Sequence, residues 1–395
     1  MDDFQVRVVN KIAPEGLALL GDNFSVGAEQ ADPHAILVRS SPVDTDQYPS
    51  LLAVARAGAG VNNITVDKAS GRGICVFNTP GANANAVAEL VFVMLGIQAR
   101  NLHQGMDFCQ GLKGQADSEI GGQVEARKSA FKGFELAGKT LGVLGLGKIG
   151  VRVANGGGLR QMRVIGFDPF PALENIHNLS PEVILARSLG EMVRHADILT
   201  VHTPLNEKTI GVVDRDLLNR LPAGAILVNY ARGPIVDEAA VLAALDSGQL
   251  SAYLTDFPTK ATLAHPKIIV TPHLGASTEE SEEQCACMAV SELKAYLEYG
   301  IITHSVNFPT AESLPSDKVH TRFIMINRDV PDMIGFASHA IGASGVNIVS
   351  YLNESNGSIG YNIIDLQSEL APEVVAAIEA HPNVIRTRSI RFVDS

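Results

Sequence analysis

Gly145-Leu146-Gly147-Lys148-Ile149-Gly150 is the stretch whose reading decides the fold. An apolar run, 141–144, precedes it, and Val151-Arg152-Val153-Ala154 continues it with a helical pattern. A second strand-like run, 163–167, then ends in Asp168, 18 residues beyond Gly150. Strand, glycine turn, helix start and carboxylate in this order and spacing form a dinucleotide-binding fingerprint. Gly145, Gly147 and Gly150 let the backbone turn tightly and approach a pyrophosphate. The helix N-terminus offers amide N–H groups and a positive dipole, and the acid accepts ribose hydroxyls. The charge of Asp168 repels a 2′-phosphate, so the expected cofactor is NAD rather than NADP.

Bulk properties narrow the class of protein around that motif. At 395 residues the chain exceeds one ordinary core, and two or three domains are expected. A net charge of −12 without any basic run argues against nucleic acid or a membrane surface as partner, and requires locally placed cations to gather an anionic substrate. Met1-Asp2-Asp3-Phe4 opens no basic, apolar signal segment, and charges interrupt every apolar run, so a cytoplasmic protein is expected. Cys75, Cys109, Cys285 and Cys287 are too few and too irregular for a disulfide framework or a zinc site, and no metal is expected.

Working outward, runs 5–9, 35–38, 52–55 and 74–77 read as buried parallel strands of an α/β layer ahead of the glycine motif. A long apolar helix follows at 84–98. Residues 104–133 are glycine-rich and polar, and read as an excursion over the surface or toward a neighbouring subunit. From Gly138 a second doubly wound unit runs through strands at 141–144, 163–167, 198–201, 226–229, 254–255 and 268–271, and a helix at 279–299 carries the chain back to the first layer. After a linker at 307–317, strand 321–327, helix 331–343, a hairpin of 346–353 and 358–366, helix 372–381 and strand 384–393 make a β-α-β-β-α-β order. The expected fold is therefore α/β. A discontinuous flavodoxin-like domain (1–82 and 276–316) encloses a Rossmann-like domain (83–275), and a ferredoxin-like domain (317–395) follows.

A nicotinamide cofactor moves hydride, so its substrate needs one group to hold charge and another to handle a hydroxyl proton. Arg232, in Asn229-Tyr230-Ala231-Arg232-Gly233-Pro234, follows a strand's carboxyl end, where open α/β sheets bind ligands, and its planar fork suits a carboxylate. His273, in Thr271-Pro272-His273-Leu274-Gly275, also follows a strand end, and its imidazole could take the alcohol proton. Periodicity alone does not single it out among 11 histidines.

The glycine motif, Asp168, His202-Thr203-Pro204-Leu205, residues 229–237 and residues 272–278, in this order, resemble the D-isomer-specific 2-hydroxyacid dehydrogenase family from Arg39 to about Pro309. The resemblance implies that Arg232 grips the substrate carboxylate and that His273 is the acid/base. It implies an NAD site lined by Lys148, Ile149, Asp168, His202, Tyr230 and Ala231, with Asp256 near the nicotinamide carboxamide. Arg39, Ser40, the loop around Gly60, and Asn83 are similar to the family's substrate contacts, and Lys128 and Arg322 stand where relatives offer further cations. Together these imply a phosphorylated 2-hydroxy acid as substrate and a homodimer or homotetramer. A glyoxylate or hydroxypyruvate reductase, or a non-enzymatic NAD sensor on the same fold, would carry the same cofactor motif.

The resemblance departs from the family at one place. A glutamate four or five residues after the aspartate normally bonds the catalytic histidine, whereas Lys260 and Ala261 stand here. Either a cation beside His273 favours the neutral imidazole, or Lys260 faces solvent and Glu279 or Glu280 supplies the carboxylate. The carboxy-terminal unit resembles the ACT regulatory domain, and Asn327, Asp329 and Asn347 match its effector positions. An amino-acid effector is the expectation that follows, with oligomerisation through edge strands as the other reading of the same domain.

Overall fold

Strands that are apolar on both faces belong inside two covering layers, and the first sheet has that construction. In the computed structural model, which describes residues 3–392, β1 (Phe4–Val9), β2 (Phe24–Gly27), β3 (Ala35–Val38), β4 (Ala53–Arg56) and β5 (Cys75–Phe77) form a parallel sheet. Its order is β2-β1-β3-β4-β5, the flavodoxin-like arrangement, whose topological switch lies between β1 and β3. Ala35, Leu37 and Ala55 point into one apolar layer, and Ile36, Val38 and Val54 into the other, as the two-residue period of a strand requires. The short edge strand β2 escaped the sequence reading because Ser25 and Val26 are exposed and only Phe24 enters the core.

The second sheet contains β6 (Thr140–Leu144), β7 (Arg163–Phe167), β8 (Ile184–Leu185), β9 (Ile198–Val201), β10 (Ala225–Asn229), β11 (Leu250–Thr255) and β12 (Ile268–Val270). All pair in parallel in the order β12-β11-β10-β9-β6-β7-β8, the Rossmann order extended by one strand. Ahead of β6, the excursion read as irregular is instead two helices, Leu102–Gly111 and Asp117–Arg127. Neither buries a residue on its own chain, so no apolar stripe marked them in the sequence.

The third sheet holds β13 (Thr321–Arg328), β14 (Ile348–Ser355), β15 (Ile359–Leu366) and β16 (Val384–Arg391), antiparallel in the order β14-β15-β13-β16. Helices Met333–Ala343 and Pro372–Glu379 cover one face, through Phe323, Met325, Ile364 and Leu366. The expected last strand reached residue 393, which lies outside the described residues.

Two compact units result: residues 1–83 with 279–395, and residues 84–278. The sequence reading set the carboxy-terminal domain apart, yet its sheet shares one core with the first. Ile324, Ile326, Tyr361 and Ile363 pack in the same cluster as Phe77, Ala289, Leu293 and Tyr296. Helix Glu279–Tyr299 leaves carbonyl oxygens unpaired at its C-terminus, as every helix does, and the third sheet supplies the donors. Arg388 donates to the Tyr296 and Leu297 oxygens, Arg322 Nη1 to Tyr299 O at 2.7 Å, and the Tyr361 hydroxyl to Gly300 O at 2.7 Å. Two guanidinium groups thus meet the negative end of the helix dipole.

Candidate active site and cofactor cradle

Each glycine of the deciding stretch has a separate physical reason. Gly145 has φ +94°, and a Cβ there would come within 2.8 Å of the His202 carbonyl carbon, so the turn lies directly against the chain leaving β9. A Cβ on Gly150 would strike Gly145 O at 1.9 Å, so the helix can close on the turn only with glycine. A Cβ on Gly147 would meet nothing within 4 Å, and helix Lys148–Leu159 begins there without a side-chain cap. Uncapped N–H groups beside open space, at the switch between β6 and β9, fit a pyrophosphate.

The carboxylate of Asp168 completes the cradle. Its Oδ2 accepts from Leu146 N at 2.8 Å and its Oδ1 from Phe170 N at 2.9 Å, which fixes its direction and leaves each oxygen a lone pair for a ribose hydroxyl. Lys148 pairs with Glu174, and Ile149 packs against the second sheet's core. His202 is buried, its Nε2 lies 2.8 Å from Thr200 Oγ1, and burial pushes its pKa down to about 3, so it stays neutral. Tyr230 is likewise a core side chain, with its phenol pushed up by burial, so its ring belongs to the packing beneath the site. Ala231 N donates to Asn229 Oδ1 at 3.1 Å, and Asn229 Nδ2 donates to Arg232 O at 2.9 Å. A fully buried asparagine thereby shapes the arginine's turn.

Arg232, Asp256 and His273 follow the carboxyl ends of β10, β11 and β12, three neighbouring strands in register at Asn229, Thr255 and Val270. Asp256, only 2% exposed, accepts Thr271 Oγ1 at 2.6 Å and Leu274 N at 2.8 Å on Oδ1, and Gly275 N at 2.7 Å on Oδ2. All three donors belong to the loop that carries His273, whose φ of +56° is costly for an L-residue and must be held by its surroundings. Phe257 stacks edge-on against the His273 ring at 5.4 Å, and a Cβ on Gly233 would touch Phe257 at 3.4 Å, so this ring links the two turns. Phe257 was not singled out from sequence; its signal is its place directly after Asp256. Lys260 is exposed at the start of helix Lys260–Ala264, which Thr259 caps, and among the described residues no hydrogen bond or ion pair joins the His273 ring to a carboxylate.

In the other unit, the loops after β3, β4 and β5 hold Arg39 and Ser40, Gly60, and Asn83. Arg39 pairs with Glu282 at 2.6 Å, and Arg56 Nε donates to Arg39 O at 2.8 Å. Asn78 Nδ2 and Thr79 N fix the Gly60 loop through the oxygens of Ala59 and Gly58. Arg56, a cation at a strand's carboxyl end followed by Ala57-Gly58-Ala59-Gly60, could have been read from sequence and was not. Lys128 is exposed and paired with Glu125.

Two sequence assignments do not match the geometry. Arg322 cannot serve as a substrate cation: it is fully buried, bidentate to Asp365 at 2.7 and 3.0 Å, with Nη1 spent on the oxygens of Tyr299 and Ser313. Asn327, Asp329 and Asn347 do not converge. Strands β13 and β14 both run antiparallel to β15, so Asn327 aligns with Gly360 and Ser355, whereas Asn347 precedes Ile348 at the end aligned with Leu366 and Thr321. Six residues of strand put roughly 20 Å between them. Asn327 is also engaged, with Arg328 O and Asn362, and Asp329 with Ser355.

Residues 99–275 match the model of the D-isomer-specific 2-hydroxyacid dehydrogenase NAD-binding domain. A D-3-phosphoglycerate dehydrogenase of Methanocaldococcus jannaschii is 34% identical over 382 residues, spanning 92% of this chain and 69% of that protein. The chain belongs to the D-isomer-specific 2-hydroxyacid dehydrogenase family. A second relative of this dehydrogenase family, D-3-phosphoglycerate dehydrogenase of Bacillus subtilis, is also 34% identical, over 78% of this chain. The chain spans only 59% of that relative's length. Among solved structures, the NAD+-bound 3-phosphoglycerate dehydrogenase of Entamoeba histolytica superposes with TM-score 0.61 at 26% identity, covering 77% of this chain and 99% of that one. The cradle around Gly147 and Asp168 is thus the NAD site of a 2-hydroxyacid dehydrogenase domain. Among the described residues no helix is long and apolar enough to cross a membrane.

Proposed function

We propose that this chain interconverts 3-phospho-D-glycerate and 3-phosphohydroxypyruvate with NAD. The observation that carries the reading is the alignment of Arg232, Asp256 and His273 at the ends of three adjacent strands, with the histidine's loop clasped by the aspartate. Bound NAD supplies the hydride acceptor. Arg232 holds the substrate carboxylate through its planar fork, and His273 takes the C2 hydroxyl proton as the C2–H bond breaks, leaving a 2-oxo acid. In the reverse direction the protonated imidazole returns that proton to the new alkoxide oxygen. Arg39, Ser40, Gly60, Asn83 and Lys128 are the candidate contacts for the rest of the substrate, with Arg56 as a further cation.

The named activity of relatives in three-fifths or more of their length supports phosphoglycerate over other 2-hydroxy acids. Steady NADH oxidation tests it, with 3-phosphohydroxypyruvate compared against hydroxypyruvate and glyoxylate. A kcat/KM at least tenfold higher for the phosphorylated acid is expected. Preference for either unphosphorylated acid would reassign the chain as a reductase within the same family. Association into dimers or tetramers belongs to the same proposal, supported by the exposed Leu102 and Met106 on the helix pair before β6. A cytoplasmic location is supported by four free cysteines. An amino-acid effector of the carboxy-terminal domain would need a site other than the dispersed Asn327, Asp329 and Asn347, and serine titration against activity tests for one.

A further inference from the structure

The first sheet has its own topological switch, between β1 and β3, and one side chain there organises a loop that no motif marks. Asn10 is the first residue past β1, and the register pairs Val9 with Val38, so Asn10 stands beside Arg39. Its φ of +76° turns the chain away from the strand, a conformation asparagine tolerates better than most residues. Its Oδ1 then accepts from three successive backbone donors, Arg39 N at 3.3 Å, Ser40 N at 3.1 Å and Ser41 N at 3.0 Å, while its Nδ2 donates to Ser41 Oγ at 2.7 Å. Consecutive N–H groups converging on one oxygen make an anion-type nest, and here the chain fills the nest with its own amide. The same loop is held at Arg39 O by Arg56, at Ser41 O by Asn63 Nδ2 at 2.7 Å, and at the Arg39 guanidinium by Glu282.

We infer that Asn10 is a positioning residue for substrate binding: it presets the Arg39-Ser40 loop so that the guanidinium and the Ser40 hydroxyl meet the substrate's anionic end without reordering. This builds on the proposed role of Arg39. Preorganisation of this kind acts on affinity, because a loop already in its bound shape loses less entropy on binding. Asn10 does not touch the reacting atoms and, being exposed, contributes little to the core.

The test is Asn10→Gly, which removes the amide while keeping the positive φ unstrained, alongside Arg39→Ala, both assayed with NADH and 3-phosphohydroxypyruvate. N10G is expected to raise KM about tenfold with kcat and NADH affinity within twofold of the parent, a split that general loosening of the fold would not produce. An unchanged KM in N10G, or a fall confined to kcat, overturns the inference. R39A separates the two levels: if R39A raises KM while N10G does not, Asn10 alone is misassigned. If neither variant raises KM, the loop's substrate role falls as well.

Discussion

Asp256 Oδ2 lies 2.7 Å from Gly275 N, and its Oδ1 receives the hydroxyl of Thr271 and the N–H of Leu274, so one buried carboxylate grips the backbone on both sides of His273. The family's usual carboxylate partner for the imidazole is replaced by Lys260 in sequence, and orientation here comes through the main chain and the Phe257 ring. His273→Ala should therefore abolish NADH oxidation while NADH still binds, as read by its fluorescence. Asp256→Asn, which turns two acceptor oxygens into one and places an NH2 against backbone donors, should lower kcat by about a hundredfold at unchanged NADH affinity. An Asp256→Asn enzyme with normal kcat would sink the clasp.

Cofactor choice is expected to follow the charge at the end of β7. Asp168→Ser keeps a hydrogen-bonding side chain but removes the repulsion of a 2′-phosphate. Its kcat/KM for NADPH should rise at least tenfold while that for NADH falls. If the ratio of the two does not move, the carboxylate is not what excludes NADPH.

Arg322 and Asp365 predict stability rather than catalysis. Arg322→Ala would strand a buried carboxylate and unpair the oxygens of Tyr299 and Ser313, a loss of about 3–5 kcal/mol. A melting temperature lower by several degrees, with KM unchanged in the protein that remains folded, is the expected pattern. A KM effect without a melting effect would restore the arginine as a substrate cation.

Glu292 makes stability depend on pH. It is 5% exposed, its Oε1 lies 2.7 Å from His304 Nδ1, and burial raises its pKa to about 8 from an unfolded value of 4.5. The folded chain thus holds a proton that the unfolded chain releases. The contribution is fully present below pH 4.5 and is lost as pH rises through about 8. Glu292→Gln, neutral at every pH, should flatten that slope, so its melting temperature relative to the parent should climb between pH 5 and pH 8. Parallel curves for the two proteins would show that the carboxyl titrates normally.

Local patterns carried most of what sequence could tell. The run from Gly145 to Asp168 is contiguous and each residue's reason is steric or electrostatic at short range, and the strand ends that present Arg232 and His273 follow from apolar runs. What was misread depended on distant pairing. Arg322 sits in an apolar strand, and only Asp365, brought alongside by β15, explains a buried guanidinium there. Asn327 and Asn347 were grouped because hairpin register was not yet known. Asn10 was invisible for the same reason, since nothing within its own segment announces the β1–β3 neighbour it serves.

The guanidinium groups and the phenol that satisfy the end of helix Glu279–Tyr299 have a consequence for how this chain can be cut. A break at the 307–317 connector would not release two domains. It would strip a helix end of its donors and wet the apolar sides of Phe77, Leu293 and Tyr296. The last eighty or so residues are masonry rather than an appendage, and shedding them should leave the remainder of that unit prone to aggregate.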